Sequence, residues 1–156
     1  MKNKKKICLI SSSGGHYEQL LMLKELNKKY KTFIVTEKTS YNKEDKKINY
    51  FIPQINRKEL FAFIKVIIIT LKSLYILIKE KPDVIISVGV LATIPMICIG
   101  KLFKKKIIYI ESFAKLENPT LTGSFIYKHN LADLFLIQWK SLQKVYPKAI
   151  YKGGIY

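Results

Sequence analysis

The sequence predicts an α/β fold, a single Rossmann-like parallel sheet with helices on both faces. Three observations carry that expectation. Short β-like runs alternate with longer helical ones along the 156 residues. Runs such as Asp83–Val88 (DVIISV) and Lys106–Ile110 (KIIYI) are almost continuously apolar, as strands covered on both faces must be. The first run leads directly into Ser11-Ser12-Ser13-Gly14-Gly15-His16 and then a helical pattern. That strand–turn–helix order is where such folds collect ligands.

In chain order, Lys6–Ser11 (KICLIS) reads as the first strand. His16 to Lys29 reads as a helix with Leu20, Leu21, Leu23 and Leu26 inward. Thr32–Thr36 is a strand, residues 37–47 a charged loop, and Ile48–Ile52 a strand stopped by Pro53. Arg57–Lys79 is a long helix ended by Pro82, and Asp83–Val88 is a buried strand. Val90–Phe103 is an apolar helix bent or begun late at Pro95, and Lys106–Ile110 is the next strand. Residues 118–131 hold a turn and a short helix, and Asp133–Gln138 is a strand. A short helix and a final strand, Ala149–Tyr151, follow. The length suits one domain over residues 1–156, with residues 151–156 as a tail that either docks on a partner or frays.

The net charge is +17, nearly all of it lysine, with Arg57 the sole arginine. Lysine gives a diffuse field suited to an anionic surface, whereas bases and phosphates are read best by arginine. AT-rich coding explains the lysines equally well, but the field exists either way. Cys8 and Cys98 sit in apolar runs without metal-ligand spacing and read as buried thiols. The basic start resembles the head of a signal peptide, but its apolar stretch ends at Ile10, so a strand is expected.

The turn Ser12-Ser13-Gly14-Gly15-His16 offers backbone N–H groups and hydroxyls to a phosphate, or is a tight turn with no ligand. His16 is either a general base or a helix-start residue. In the helix Leu60–Ile78, Lys58, Lys65, Lys72 and Lys79 recur every seven residues on one stripe, and most of the rest is apolar. Lysines within the span disfavour a membrane crossing. An interfacial helix, with Phe61 and Ile68 towards lipid and Lys65 and Lys72 snorkelling, and a core helix with one solvated edge both fit. Glu111 ends a strand, positioned for substrate hydroxyls, base work or plain solvation. No Asp-x-Asp pair, His/Cys/acid cluster or phosphate-binding loop fingerprint is present, so neither a metal nor a cofactor is expected.

Five motifs in one order carry a family resemblance. They are Ser-Ser-Gly-Gly-His at 12–16, Pro82 to Gly89, Tyr109-Ile110-Glu111-Ser112-Phe113, Pro119-Thr120-Leu121-Thr122-Gly123, and Gln138-Trp139 with Val145 to Ala149. Together they resemble bacterial capsular and exopolysaccharide proteins of the PssD/EpsE/CpsF type. Those are similar to the membrane-anchoring subunit of the eukaryotic two-chain UDP-GlcNAc transferase acting on dolichol diphosphate. The resemblance implies the N-terminal, acceptor-side half of a split GT-B transferase. A donor-binding companion chain would hold the UDP-sugar.

The acceptor would be a polyprenyl-diphosphate-linked saccharide. By similarity to the fused MurG-type transferase, Ser12, Ser13, Gly14 and Gly15 would face its diphosphate. The catalytic base would be His16 or Glu111, since Ile110 stands where the relative pairs a histidine with the glutamate. Gly153, Gly154, Ile155 and Tyr156 would dock on the companion. No N-terminal anchor is expected. The chain would lie peripherally on the cytoplasmic face of an anionic membrane through the long helix, the basic field or the partner. A stand-alone small transferase or nucleotide-binding enzyme is the rival reading. A nucleic-acid module is disfavoured by the single arginine.

Overall fold

The computed structural model describes residues 4–56 and 59–155. Its centre is a seven-stranded, all-parallel sheet in the order β3-β2-β1-β4-β5-β6-β7. The strands are β1 Lys6–Ser11, β2 Lys31–Glu37, β3 Tyr50–Ile52, β4 Val84–Val88, β5 Lys106–Ile110, β6 Leu134–Ile137 and β7 Ile150–Tyr151. The α-helices are α1 Gly15–Leu21, α2 Ala62–Glu80, α3 Ile94–Leu102 and α4 Leu121–Lys128. The order reverses between β1 and β4, which opens a crevice at the strands' carboxyl ends.

The two faces of the sheet have separate cores, set by the two-residue period of the strands. Cys8 and Ile10 of β1 join Ile69, Ile76, Met96, Tyr109 and Ile126 beneath α2, α3 and α4. Ile7 and Leu9 join Tyr17, Leu20, Ile86 and Val88 beneath α1. Burial holds the Cys8 thiol far above its ordinary range, with Glu80 adding to the effect. At the opposite end of the sheet, Asp83 accepts the Lys6 N–H (2.7 Å) and Asp133 the Ile107 N–H (2.7 Å), pinning neighbouring strands together.

Several boundaries differ from expectation. The first helix ends at Leu21 and continues as a 3-10 stretch, Met22–Lys28, in which Leu23 and Leu26 are only half-buried. The predicted start of the long helix at Arg57 and the stripe residue Lys58 lie outside the described residues; the helix begins at Ala62. It ends at Lys81 in the left-handed conformation, just before Pro82. Pro95 sits in the first turn of α3 after the 3-10 turn Leu91–Thr93, so that helix begins late rather than bends.

The lysine stripe carries its own contacts to protein. Lys65 pairs with Glu59, Lys72 donates to the Phe51 carbonyl at 3.2 Å, and Lys79 lies over the rings of Tyr50 and Tyr75. The stripe thus runs along the edge between the core face and the outward face, with Lys65 half-buried and Lys72 and Lys79 exposed. The outward face is formed by Phe63, Ile64, Ile67, Ile68, Leu71, Tyr75 and Ile78, following helical steps of three and four. Phe63 is 74% exposed and Leu71 62%, and Phe61 precedes them, also exposed. Opposite it, Ile69, Ser73, Ile76 and Leu77 are buried, so α2 is apolar on both sides. Among the described residues no helix is long and apolar enough to cross a membrane.

Candidate functional site

A cleft of about 670 Å³ occupies the carboxyl ends of β1, β2, β4 and β5. Its walls come from four segments: Ser12, Ser13, Gly14 and His16 after β1; Glu37 and Thr39 at the end of β2, with Gln54, Ile55 and Asn56 beyond β3; Gly89 to Ala92 after β4; and Ser112, Ala114, Lys115, Thr120 and Thr122 after β5. The glycine turn is present, and Gly14 supplies it with φ 72° and ψ −141°, a backbone closed to most side chains.

His16 projects into this cleft. Ser12 Oγ lies 3.2 Å from His16 Nδ1 and also donates to the Ser13 carbonyl at 3.2 Å. With the hydroxyl proton spent there, the oxygen accepts Nδ1–H and Nε2 keeps its lone pair. Nε2 is shielded and has no hydrogen-bond partner. Burial lowers the pKa of His16 below its ordinary value, against the opposing charge of Glu111. The ring is therefore neutral near pH 7 and can accept a proton.

The serines do different work from that expected. Ser13 Oγ is 2.8 Å from Thr39 Oγ1, which itself donates to Asn42, and the Ser13 N–H bonds to the Glu37 carboxylate. Ser11 donates to the Ser12 carbonyl at 2.9 Å. Ser12 and Ser13 thus shape the turn with their own hydrogen bonds, and an anion is left Gly14, Gly15 and the start of a helix only seven residues long. Lys115, exposed and bordering the cleft from the β5 side, is a cation the sequence reading did not single out.

Glu111 is placed differently from a base. It is 0% exposed and does not line the cleft. Its carboxylate accepts from Ser112 N (2.8 Å), Thr120 Oγ1 (2.8 and 3.1 Å), Thr120 N (3.3 Å), Tyr146 OH (2.9 Å) and, at 3.5 Å, Tyr109 OH. Burial, reinforced by Glu111, holds both phenols above their ordinary range, so they remain donors. A Cβ on Gly123 would sit 2.0 Å from Glu111 Oε2, which explains glycine there. The motifs around Glu111, Thr120 and Tyr146 therefore converge on one sealed carboxylate that ties β5 to α4 and to the approach to β7. As a positioning group it acts on His16 through its charge.

Gln138 and Trp139 are also structural. Trp139 Nε1 donates to the Phe113 carbonyl at 2.6 Å. Gln138 Nε2 donates to Gln19 Oε1 and to the Glu111 carbonyl, both at 2.8 Å, and its Oε1 accepts the Ile155 N–H at 2.9 Å. Ile155 packs on the second core, so this part of the expected docking tail is seated on its own domain. Gly153 and Gly154 lead to it, and Tyr156 lies outside the described residues.

The residues missed in the sequence are Glu37, Thr39, Gln54, Asn56, Lys115 and the segment 90–92. No local signal marks them; they are neighbours only because strand order places β2, β1, β4 and β5 side by side. Among the described residues no cluster of three His, Cys, Asp or Glu side chains is arranged to hold a metal.

Residues 7–155 match the family described as "Oligosaccharide biosynthesis protein Alg14 like". The chain is 26% identical over 180 residues to the human UDP-N-acetylglucosamine transferase subunit ALG14, covering 96% of this chain and 82% of that one. It is 26% identical over 181 residues to the subunit of the same name from Candida albicans, covering 98% and 82%. These relatives are eukaryotic, where the sequence motifs had pointed first to bacterial capsular proteins.

Among solved structures, MurG of Acinetobacter baumannii superposes with a TM-score of 0.71 at 16% identity, over 88% of this chain and 42% of that one. UDP-N-acetylglucosamine 2-epimerase of Rickettsia bellii gives 0.74 at 16%, over 98% and 46%. The chain spans less than half the length of these two proteins, and the likeness shows a Rossmann-like lobe.

Proposed function

The chain belongs to the Alg14-like family of oligosaccharide biosynthesis proteins, and from that premise we propose that it is the acceptor-binding subunit of a two-chain UDP-sugar transferase. Its acceptor is a polyprenyl-diphosphate-linked saccharide, in capsular or exopolysaccharide synthesis, as the bacterial motif resemblance suggests. A partner chain supplies the UDP-sugar across the mouth of the cleft.

One observation carries this reading. The cleft at the β1/β4 switch point is lined by His16, whose neutral ring keeps an unpartnered Nε2, on a lobe that matches less than half of longer proteins of this fold. In the reaction, Gly14 and Gly15 present backbone N–H groups to the diphosphate and Lys115 neutralises part of its charge. His16 Nε2 takes the proton of the attacking acceptor hydroxyl, and that oxygen displaces UDP with inversion at the anomeric carbon. Glu111 holds the β5 loop and stabilises the imidazolium as it forms.

The outward face of α2 lies on the cytoplasmic leaflet, with the surplus of lysines drawn to anionic headgroups. The remaining tail, Gly153, Gly154 and Tyr156, meets the partner beside Ile155.

The test is co-expression with a donor-binding partner chain and a membrane assay of sugar transfer from UDP-sugars. Transfer should require both chains. Full transfer by the partner alone would end the subunit reading, and turnover by this chain alone would favour the stand-alone enzyme. Replacing Phe63 and Leu71 by Glu should abolish sedimentation with anionic vesicles while leaving the fold intact. Unchanged sedimentation would remove α2 from the membrane contact.

A further inference from the structure

Glu37 ends β2 as Glu111 ends β5, but it faces the cleft. It is 6% exposed and borders the cavity beside Thr39, Gln54 and Asn56. Its Oε1 accepts the Ile55 N–H at 3.0 Å, and the Ser13 N–H donates to the same carboxylate. An ionised carboxylate has about four lone-pair sites, and these two amides leave it capacity to accept more.

Lys65 lies close enough to act on this charge but is itself paired with Glu59, whose like charge opposes it. What the carboxylate can still take directly is hydrogen-bond donors, on its unused lone pairs. Glu37 is almost fully buried, and that burial raises its pKa. A diphosphate is excluded here, since it brings only acceptors and like charge. A neutral ring bearing several hydroxyls brings donors without like charge, and the Asn56 amide beside it can bond the same hydroxyls in either direction.

The topology separates the two ends. Strand order β2-β1-β4-β5 puts Glu37 three strand spacings, about 14 Å, from the β5 end that carries Lys115, with the glycine turn and His16 between.

We propose that Glu37 reads the saccharide of the acceptor, accepting hydrogen bonds from its hydroxyls while the diphosphate lies towards Gly14, Gly15 and Lys115. The proposal rests on the acceptor-binding role above and adds to it a direction for the substrate and a residue that selects it. Glu37 thereby holds the ring against β2 so that one hydroxyl reaches His16 Nε2.

Two probes separate this from a purely architectural role: phytanyl diphosphate, and phytanyl diphosphate carrying N-acetylglucosamine. Binding of each to the full chain in detergent is measured for wild type and Glu37→Gln. Wild type should prefer the sugar-bearing probe, and Glu37→Gln should reduce that preference about tenfold with affinity for phytanyl diphosphate unchanged. Equal weakening of both probes would mean that Glu37 only shapes the turn through Ser13, and would overturn the proposal. So would an unchanged preference.

Should Glu37→Gln fail to fold, Asn56→Ala, which takes no bond from the turn, must lower the preference at least about threefold; no change would overturn the proposal. If neither probe binds wild type, the acceptor-binding role itself fails, an outcome distinct from either of these.

Discussion

The carboxyl ends of β2 and β5 each bury a glutamate, and their surroundings differ in kind. Glu111 is itself fully buried and enclosed by hydroxyls and amides from three segments. Glu37 is held by two backbone amides and looks into the cleft. The difference shows that a carboxylate at a strand end in this fold acquires its role from what closes over it. At β5, Tyr146 and the α4 N-terminus close the lid; at β2 nothing does.

Substitutions can break or sharpen that contrast. The largest effect is expected from Glu111→Ala, which leaves the Tyr146 and Thr120 hydroxyls and the Ser112 amide buried without an acceptor. It should cost about 4 kcal/mol in a denaturant titration. Glu37→Ala, which takes the acceptor from only the Ile55 and Ser13 amides, should cost about 1–2 kcal/mol in the same titration. Equal losses would erase the distinction.

Next, His16→Ala should lower transfer by the co-expressed complex about a hundredfold with the denaturation midpoint little moved. Unaltered transfer would remove His16 from the chemistry. Tyr146→Phe should cost about 1 kcal/mol, because it removes one of several donors to Glu111, and should leave transfer intact. A large loss of transfer would show that the β5 end does more than hold shape.

The smallest effects are in pH dependence. His16 has a lowered pKa in the folded chain, so its contribution to stability is complete above about 6.5 and is lost as pH falls through the lower folded value. Glu37 has a raised pKa, so its penalty grows as pH rises from about 4.5 through the folded value. Stability measured from pH 4 to 7 should therefore lose a rising component in His16→Ala and a falling one in Glu37→Gln. Parallel curves for both variants would mean that neither group is buried as described.

The sheet was legible because a strand covered on both faces has little choice of residues: Ile85, Ile86 and Ile107 announce themselves. The glycine turn was legible because its residues are contiguous. The end of α1 was not, since Met22–Lys28 carries no stop residue and a change from α to 3-10 winding leaves no compositional mark. Glu111 was found, but its role was hidden, because burial depends on Tyr146, thirty-five positions away. Glu37 and Lys115 were hidden for the same reason: each lies in an unremarkable polar stretch and becomes part of a cleft only through strand order. The lysine period on α2 was real, but spacing alone does not say what a stripe touches, and Glu59 and the Phe51 carbonyl engage it at the edge of the helix.

The amide of Gln138 has a consequence beyond packing. It clamps Ile155 at one end and, at the other, Gln19 and the Glu111 carbonyl, and Gln19 lies one turn along α1 from His16. Prising Ile155 loose strands a buried oxygen and slackens the helix that carries the proton acceptor. Whatever settles against the last described residues therefore has its hand on the His16 end of the molecule without touching the cleft.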